Sequence, residues 1–557
     1  MNLPKNKLAQ AVLKSCLSNN IKHIVISPGS RNAPLIIGFG QIPFFEKHVI
    51  VDERSAAFVA LGMAQQLQEP VALLCTSGSA LLNYYPAIAE AFYSHIPLII
   101  ISADRPKKWI DQGDGQTIRQ ENVFVNHSLF NANLREDLTN VHLIDQAIQT
   151  ARDKKGAVHI NIPFDEPLYE TIAVKNWDIK ASKKEQKDSL LNEEPLAVDF
   201  LEPFAEKWDK AKRKMVLVGV NYPNELLQIQ LNHLAKDPSV LILTETTSNV
   251  YNTKFINSID QLITPFDDAL FKELQPEILL TLGGMVVSKR IKQFLRKYKP
   301  KEHWHVSPFD NPPNTYECLS QHFKLSSDLF FSQFFFLITN NTNSNYQNYF
   351  LTIKETRKAK HREILSKTAF SDLKSYETVL ANLPKNSQLQ VANSSAIRYT
   401  QLFDLNENIT VFCNRGTSGI DGSSSTAVGA AIVQEKPVIL LTGDISFFYD
   451  SNAFWNDSIK ANFRIILMNN SGGGIFRYIP GPSSTEELEA YFETKQQRNA
   501  KEFASMYHFD YYLARDLSEL KPIFAAFYKP SNKPKLLEIQ TPRELNDLIL
   551  KDYFKKL

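Results

Sequence analysis

PVILLTGD, residues 437–444, and RIILMNNSGGGIF, residues 464–476, are the two stretches on which the reading of the fold turns. Each is a short apolar run, nearly uninterrupted, that ends in polar residues and glycine. Runs of this kind are how strands covered on both faces look. Asp444 and Asn470 stand 470 − 444 = 26 residues apart, room for one strand–helix–strand crossover. Both polar tips then fall at the carboxyl ends of neighbouring parallel strands, where open α/β sheets bind their ligands. A carboxylate, an amide oxygen and a main-chain carbonyl are hard donors that suit Mg²⁺, an ion that shares its shell with phosphates. The glycines let the backbone approach a diphosphate, and a following helix N-terminus favours its charge. Either tip alone is more often a plain turn; the pair at this spacing, each behind an apolar strand, is much more specific.

Working outward, the same signature recurs. LQVAN (389–393), ITVFCN (409–414) and KLLEIQ (535–540) complete a sheet with the two opening stretches. IKHIVIS (21–27), HVIV (48–51), VALLC (71–75), PLIIIS (97–102) and AVHINI (157–162) make another of the same type. MVLVG (215–219), VLILT (240–244), ILLTLGG (278–284) and HWHV (303–306) form a smaller middle group. A polar, charged stretch at about 175–194 reads as a linker, and the Asn-rich TNNTNSNYQN (339–348) as the end of the middle group. The expected fold is α/β with three domains, each a mostly parallel doubly wound sheet, over residues 1–178, 195–345 and 360–557. The likeness of the outer two suggests a distant duplication, although no aligned sequence repeat supports it.

Composition narrows the function classes. Lys plus Arg number 62 against 60 Asp plus Glu, so no global charge argues for wrapping nucleic acid or coating a membrane. The four cysteines, Cys16, Cys75, Cys318 and Cys413, have neither zinc spacing nor a disulfide framework, which suits a reducing cytoplasm. The N-terminal segment lacks an apolar h-region and no run reaches 18 apolar residues, so neither secretion nor membrane insertion is expected.

The Gly-Asp…Asn-Asn pair resembles the metal and diphosphate motif of thiamine diphosphate enzymes. That resemblance implies Asp444, Asn470 and the Gly472 carbonyl as ligands of Mg²⁺ (or Mn²⁺). The family also carries a glutamate in its N-terminal, pyrimidine-binding domain, and Glu53 in VDERSAAFVALGMAQ (51–65) is the matching position. By resemblance it hydrogen-bonds the cofactor's aminopyrimidine, while the protein tunes the cofactor's electronics. Alone, an acidic residue in a first helical turn is an ordinary dipole complement. The resemblance makes 195–345 a middle domain and 360–557 a diphosphate-binding domain. It also implies an active site between subunits, hence a homodimer or dimer of dimers.

Arginines recur at predicted strand tips: Arg31 in SPGSRNAPL, Arg105 in SADRPKKW, Arg119 in GDGQTIRQENVF, Arg398 in NSSAIRY and Arg415 in NRGTSGIDG. One arginine alone is more often a surface charge or ion pair; the recurrence suits substrates with several carboxylates, which guanidinium binds bidentately. With DERSAAFVALGMA, TSGSALLNYYPA and NNSGGGIF, these segments resemble the 2-succinyl-5-enolpyruvyl-6-hydroxy-3-cyclohexene-1-carboxylate synthase family of menaquinone biosynthesis, across essentially the whole chain. The implied reaction is decarboxylation of 2-oxoglutarate and conjugate addition of the succinyl unit to isochorismate. Carried over by position, Ser394, Arg398 and Arg415 hold carboxylates and serve catalysis with Glu53, while Ser30, Arg31, Arg105, Gln116 and Lys289 line the isochorismate side. Ile420, Ser446, Gly473 and Phe476 join the cofactor site. No histidine lies in these loops, which would spare the nucleophilic carbon from protonation. The competing reading within the same architecture is an acetohydroxyacid synthase or 2-oxoacid decarboxylase, which would not need the arginine set. A nucleotide-binding oxidoreductase is a more distant alternative, and no strand here runs into GxGxxG.

Overall fold

The computed structural model describes residues 1–135, 140–174, 177, 193–339, 342–479 and 481–557. Most of the expected linker at 175–194 lies outside the described residues. Short strand β1 (Asn2–Pro4) pairs antiparallel with β8 (Thr171–Ala173), closing the first unit on itself. Between them lie β2 (His23–Ile26), β3 (Glu46–Val49), β4 (Val71–Cys75), β5 (Leu98–Asp104), β6 (Phe130–Asn133) and β7 (Ala157–Pro163). They form a parallel sheet in the order β3-β2-β4-β5-β7-β6.

The middle sheet contains β9 (Lys214–Val218), β10 (Val240–Leu243), β11 (Ile278–Leu282), β12 (Glu302–Val306) and β13 (Gln321–Phe323). All its pairings are parallel, in the order β10-β9-β11-β12-β13. The Asn-rich stretch expected to end this unit instead feeds a long helix, Tyr346–Lys367, whose first residues Tyr346, Gln347 and Phe350 are buried against the middle domain.

The third sheet contains β14 (Gln388–Val391), β15 (Thr410–Phe412), β16 (Val438–Gly443), β17 (Phe463–Asn469), β18 (Asp510–Ala514) and β19 (Lys535–Gln540). Its order, β15-β14-β16-β17-β19-β18, repeats the first sheet strand for strand. The expected likeness of the outer domains is thus present in topology.

These two sheets share one hydrophobic core, which runs through Val59, Met63 and Leu73 of the first domain and Val428, Ala431, Leu440 and Leu467 of the third. Its centre is a crossing of helices Glu53–Leu67 and Ser423–Val433. Both are apolar nearly all round, as helices buried on every side are. A β-carbon on Gly62 would stand 2.0 Å from the Thr426 carbonyl oxygen, and one on Gly429 would stand 2.0 Å from that of Val59. Each helix therefore offers a glycine where the other's backbone comes closest. The first of these helices starts where Asp52 accepts a hydrogen bond from the Ser55 N–H (2.9 Å) and stops at Gln68, φ +55°. No helix among the described residues is long and apolar enough to cross a membrane.

Candidate active site

Strands β16 and β17 pair with Gly443 opposite Met468, so Asp444 and Asn470 leave the sheet side by side. Asp444 is 2% exposed, and burial pushes its carboxyl up to about 6. One of its oxygens accepts the Gln496 amide N–H (2.6 Å), the other the Ile445 N–H (2.9 Å). Asn470 donates its Nδ2 to the buried Asp372 carboxylate (2.8 Å). A carboxylate only accepts, so it holds the amide nitrogen and leaves Oδ1 without a partner among the described residues. Asn469 differs: its Nδ2 binds Glu538 (2.7 Å) and the Arg498 carbonyl (2.9 Å), which makes it a strut of the sheet end.

Beyond Asn470 the chain adopts positive φ at Ser471 (+64°) and Gly472 (+152°). The second value belongs to glycine, and a β-carbon there would meet the Glu493 carbonyl oxygen at 3.0 Å. The segment 488–496 closes over this turn: Glu493 accepts the Gly473 N–H at its carbonyl (2.7 Å), and its fully buried carboxylate is forked by Arg477 (2.7 Å twice) and held by Arg543 (2.8 Å). Arg477 is thus spent on closing the turn. Ser446 donates to the Ile420 carbonyl (2.8 Å), and the Phe476 and Phe492 rings stand 5.8 Å apart. The donor set around Asp444, Asn470 and Gly472 is all hard oxygen beside a turn too tight for side chains, a fit to a Mg²⁺–diphosphate group.

A second cluster is basic. Arg398 donates to the Ser394 carbonyl (2.9 Å) and Arg415 to Asn393 Oδ1 (2.7 Å). Burial, then the charge of Arg415, pulls Arg398 below its ordinary value, with Asp260 opposing more weakly. No ion pair among the described residues neutralises either guanidinium, and the Arg415 Nε is buried with no hydrogen-bond partner. The 289–297 helix adds Lys289 and also Lys292, which burial and then Arg415 pull below the usual lysine value. Lys292 escaped the sequence reading, and only its helical position three residues past Lys289 could have pointed to it. Asn393 ties this cluster to the 414–420 loop by donating to the Gly419 carbonyl (2.7 Å). Glu90, of the first domain, accepts from the Gly416 N–H (2.7 Å) and the Thr417 N–H (2.6 Å) and fixes the same loop.

A third group lies on the first domain. Arg31 is 4% exposed, donates to the Phe164 carbonyl (3.1 Å) and lies 3.3 Å from Glu166. Burial and then the neighbouring Arg105 charge lower its pKa. Arg105 pairs with Asp114 (3.1 Å) but leaves Nε buried and unpartnered. Ser30 is exposed beside them, and Gln116 (φ +54°) lies against Gly78. Arg119 instead forms an exposed pair with Asp111 (2.9 Å).

Glu53 begins its helix half-buried, and desolvation raises its pKa. Its neighbours are pinned to the C-terminal end of the 444–449 helix. Asp52 accepts from Asn452 (2.7 Å), while Arg54 donates to the Tyr449 carbonyl (2.9 Å) and stacks on that ring at 4.6 Å. Among the described residues no hydrogen bond or ion pair joins Glu53 to Asp444, Asn470 or Gly472. The chain thus links the Arg398 cluster to the 444–449 helix through the 414–420 loop, and among the described residues bonds Glu53 to neither. Gln496, Asp372, Glu493 and Glu90, which set these geometries, carried no sequence signal because their partners are distant in the chain.

Comparison with known proteins agrees with this layout. Residues 6–123 match the family "Thiamine pyrophosphate enzyme, N-terminal TPP binding domain", residues 183–391 the "Middle domain of thiamine pyrophosphate" and residues 393–539 the "C-terminal TPP binding domain". The middle match runs on into β14, which the structure places in the third sheet. Proteins named 2-succinyl-5-enolpyruvyl-6-hydroxy-3-cyclohexene-1-carboxylate synthase are similar over nearly the full length. That of Flavobacterium johnsoniae is 53% identical, with 100% of both chains covered. That of Christiangramia forsetii is 50% identical, over 100% of this chain and 99% of its own, and that of Porphyromonas gingivalis 37% identical, over 96% and 94%.

Proposed function

The chain belongs to the 2-succinyl-5-enolpyruvyl-6-hydroxy-3-cyclohexene-1-carboxylate synthase family of thiamine pyrophosphate enzymes, and from that premise we propose how its residues carry out the reaction. The protein is a thiamine-diphosphate-dependent transferase of menaquinone biosynthesis that joins the succinyl part of 2-oxoglutarate to isochorismate with release of CO₂. Asp444, Asn470 Oδ1 and the Gly472 carbonyl hold Mg²⁺ or Mn²⁺, and with Ser446, Ile420, Gly473 and Phe476 they seat the cofactor. When bound, thiamine diphosphate supplies the electron sink that lets a 2-oxoacid lose CO₂ and its remaining carbon act as a nucleophile.

Everything else is positioning and charge. Glu53, half-buried at the start of its helix, hydrogen-bonds the aminopyrimidine. Arg398 and Arg415, with Ser394, take the carboxylates of 2-oxoglutarate and of the acceptor, while Ser30, Arg31, Arg105, Gln116 and Lys289 bind isochorismate. Two polyanions brought together need uncompensated cations, which Arg398 and Arg415 supply. The observation that carries the substrate assignment is the adjacent pair Arg398 and Arg415, neither neutralised by a carboxylate and one with a buried Nε left open. Gln496, which now donates to Asp444, would have to yield that bond for Asp444 to hold a metal.

Because the neighbours of Glu53 are fixed on the far end of the 444–449 helix, a second copy completes each site, in a homodimer or dimer of dimers. The functional units are 1–178 for the pyrimidine, 195–345 in the middle and 360–557 for the diphosphate. The enzyme works in the cytoplasm, in keeping with its free cysteines.

The test supplies 2-oxoglutarate, isochorismate, Mg²⁺ and thiamine diphosphate, follows isochorismate absorbance and weighs the product. Consumption that needs both the cofactor and 2-oxoglutarate, with a product equal to isochorismate plus a succinyl unit, is expected. Decarboxylation that leaves isochorismate untouched would overturn the substrate assignment and leave a simple 2-oxoacid decarboxylase.

A further inference from the structure

At the free edge of the first sheet, β3 runs parallel to β2 with Glu46 opposite His23 and His48 opposite Val25. Side chains two apart on a strand share a face, so His23, Glu46 and His48 project together. Their ligand atoms all lie within 4.8 Å of one another, and no other group of three or more His, Cys, Asp or Glu among the described residues gathers this way. The His23 Nδ1 is 3.3 Å from a Glu46 oxygen, and the two imidazole rings lie 5.9 Å apart at 24°. His23 Nδ1 and His48 Nε2 are both buried with no hydrogen-bond partner. Buried polar atoms are seldom left so, and two facing one carboxylate ask for an explanation.

We propose that His23, Glu46 and His48 form a binding site for a zinc-class divalent cation, with water completing the shell, that clips the edge strand β3 to β2. Two imidazoles and a carboxylate are the donors that borderline-soft ions such as Zn²⁺ take. Ligands about 2.0–2.1 Å from a tetrahedral Zn²⁺ stand roughly 3.3 Å from each other, the separation found between His23 and Glu46. The second Glu46 oxygen is held by Lys22 at 2.5 Å, as ligating carboxylates are held from behind. Lys22 and Lys460, whose charges also reach His23 and His48 respectively, oppose a dication and keep the affinity moderate. The site is separate from the Asp444 set, which offers only oxygen and suits the harder Mg²⁺.

Holoenzyme saturated with Mg²⁺ and thiamine diphosphate is titrated with Zn²⁺ by calorimetry, and with Co²⁺ by visible absorption. One added equivalent per chain, a tetrahedral Co²⁺ band and a higher Tm with Zn²⁺ are expected. His23→Gln and His48→Ala should each weaken Zn²⁺ binding by more than about 10-fold and remove the Co²⁺ band, with the Mg²⁺-dependent activity unchanged. Should a histidine variant misfold by circular dichroism, Glu46→Gln, which keeps the volume, must weaken binding in the same way. Zn²⁺ uptake equal in the wild type and in these variants, or none beyond Mg²⁺ exchange, would overturn the proposal.

Discussion

The first and third sheets have the same strand order but put different chemistry at their tips. In the first domain the tips of β4 and β5 are consumed internally. Thr76 Oγ1 accepts the Arg31 N–H (3.2 Å), the Gly78 N–H donates to Gln120 (2.8 Å), and Asp104 accepts from Asn161 (2.7 Å). In the third domain the corresponding tips, after β16 and β17, leave Asn470 Oδ1 without a partner among the described residues beside a bare glycine turn, and Asp444 is held by one distant side chain, Gln496, besides the adjacent Ile445 N–H. Topology decides where a ligand can sit; whether one does depends on which tip atoms remain unspoken for.

The largest expected effect separates the two sets of tips. Asp444→Ala should lower activity by more than about 100-fold and abolish Mg²⁺-dependent cofactor binding in calorimetry. Asp104→Ala, at a tip whose polar atoms are already paired, should leave cofactor affinity intact; equal loss in both would erase the distinction. Next, Asp372→Asn should weaken Mg²⁺ binding roughly 10–100-fold, because an amide can no longer dictate which end of Asn470 faces the metal. A titration of the folded variant checks this.

Gly62→Ala probes the crossing that joins the domains. Overpacking costs about 1–3 kcal/mol, read as a lower Tm, whereas Ala at Gly40, which has nothing within 4 Å of its added carbon, should cost far less. Gln496→Ala removes a competitor for Asp444, and Mg²⁺ should then bind about fivefold more tightly, the worth of one hydrogen bond.

The smallest effect concerns pH. Burial pushes Asp450, which accepts from the Ser425 N–H (2.7 Å) and hydroxyl (2.8 Å), up to about 7. Its folded pKa lies above the unfolded one, so its contribution to stability is full below about pH 4 and is lost as pH rises through 7. Denaturant titrations across this window should be flatter for Asp450→Asn.

Fourteen strands are in the three parallel sheets where apolar runs were expected or within a few residues, but each sheet also has a strand that was not foreseen: β6 (FNAN), β13 (QHF) and β18 (DYYLA). All three are edge strands. Most of their residues are only partly buried, so they lack the continuous apolar character that covering on both faces demands. The HVIV run misplaced β3 by two residues for the same reason: as an edge strand it spans Glu46–Val49, with polar residues first.

At the site, the residues proposed to touch the ligands could be named from the sequence because their type and spacing follow the chemistry of metal, diphosphate and carboxylate. Residues that aim them could not. Nothing local marks Asp372 as the partner of Asn470 98 positions away, or Glu90 as the anchor of a loop 326 positions on. The sequence by itself determined the strand-tip motif, the alternation of strand and helix and the run of arginines, all patterns of short range. Tertiary structure alone decided the shared core, the glycine crossing of the two buried helices, the neutralised or open state of each arginine, and the meeting of His23 on β2 with His48 on the edge strand β3. Those depend on which distant backbone and side chains meet, and hydrogen bonds and burial are settled only there.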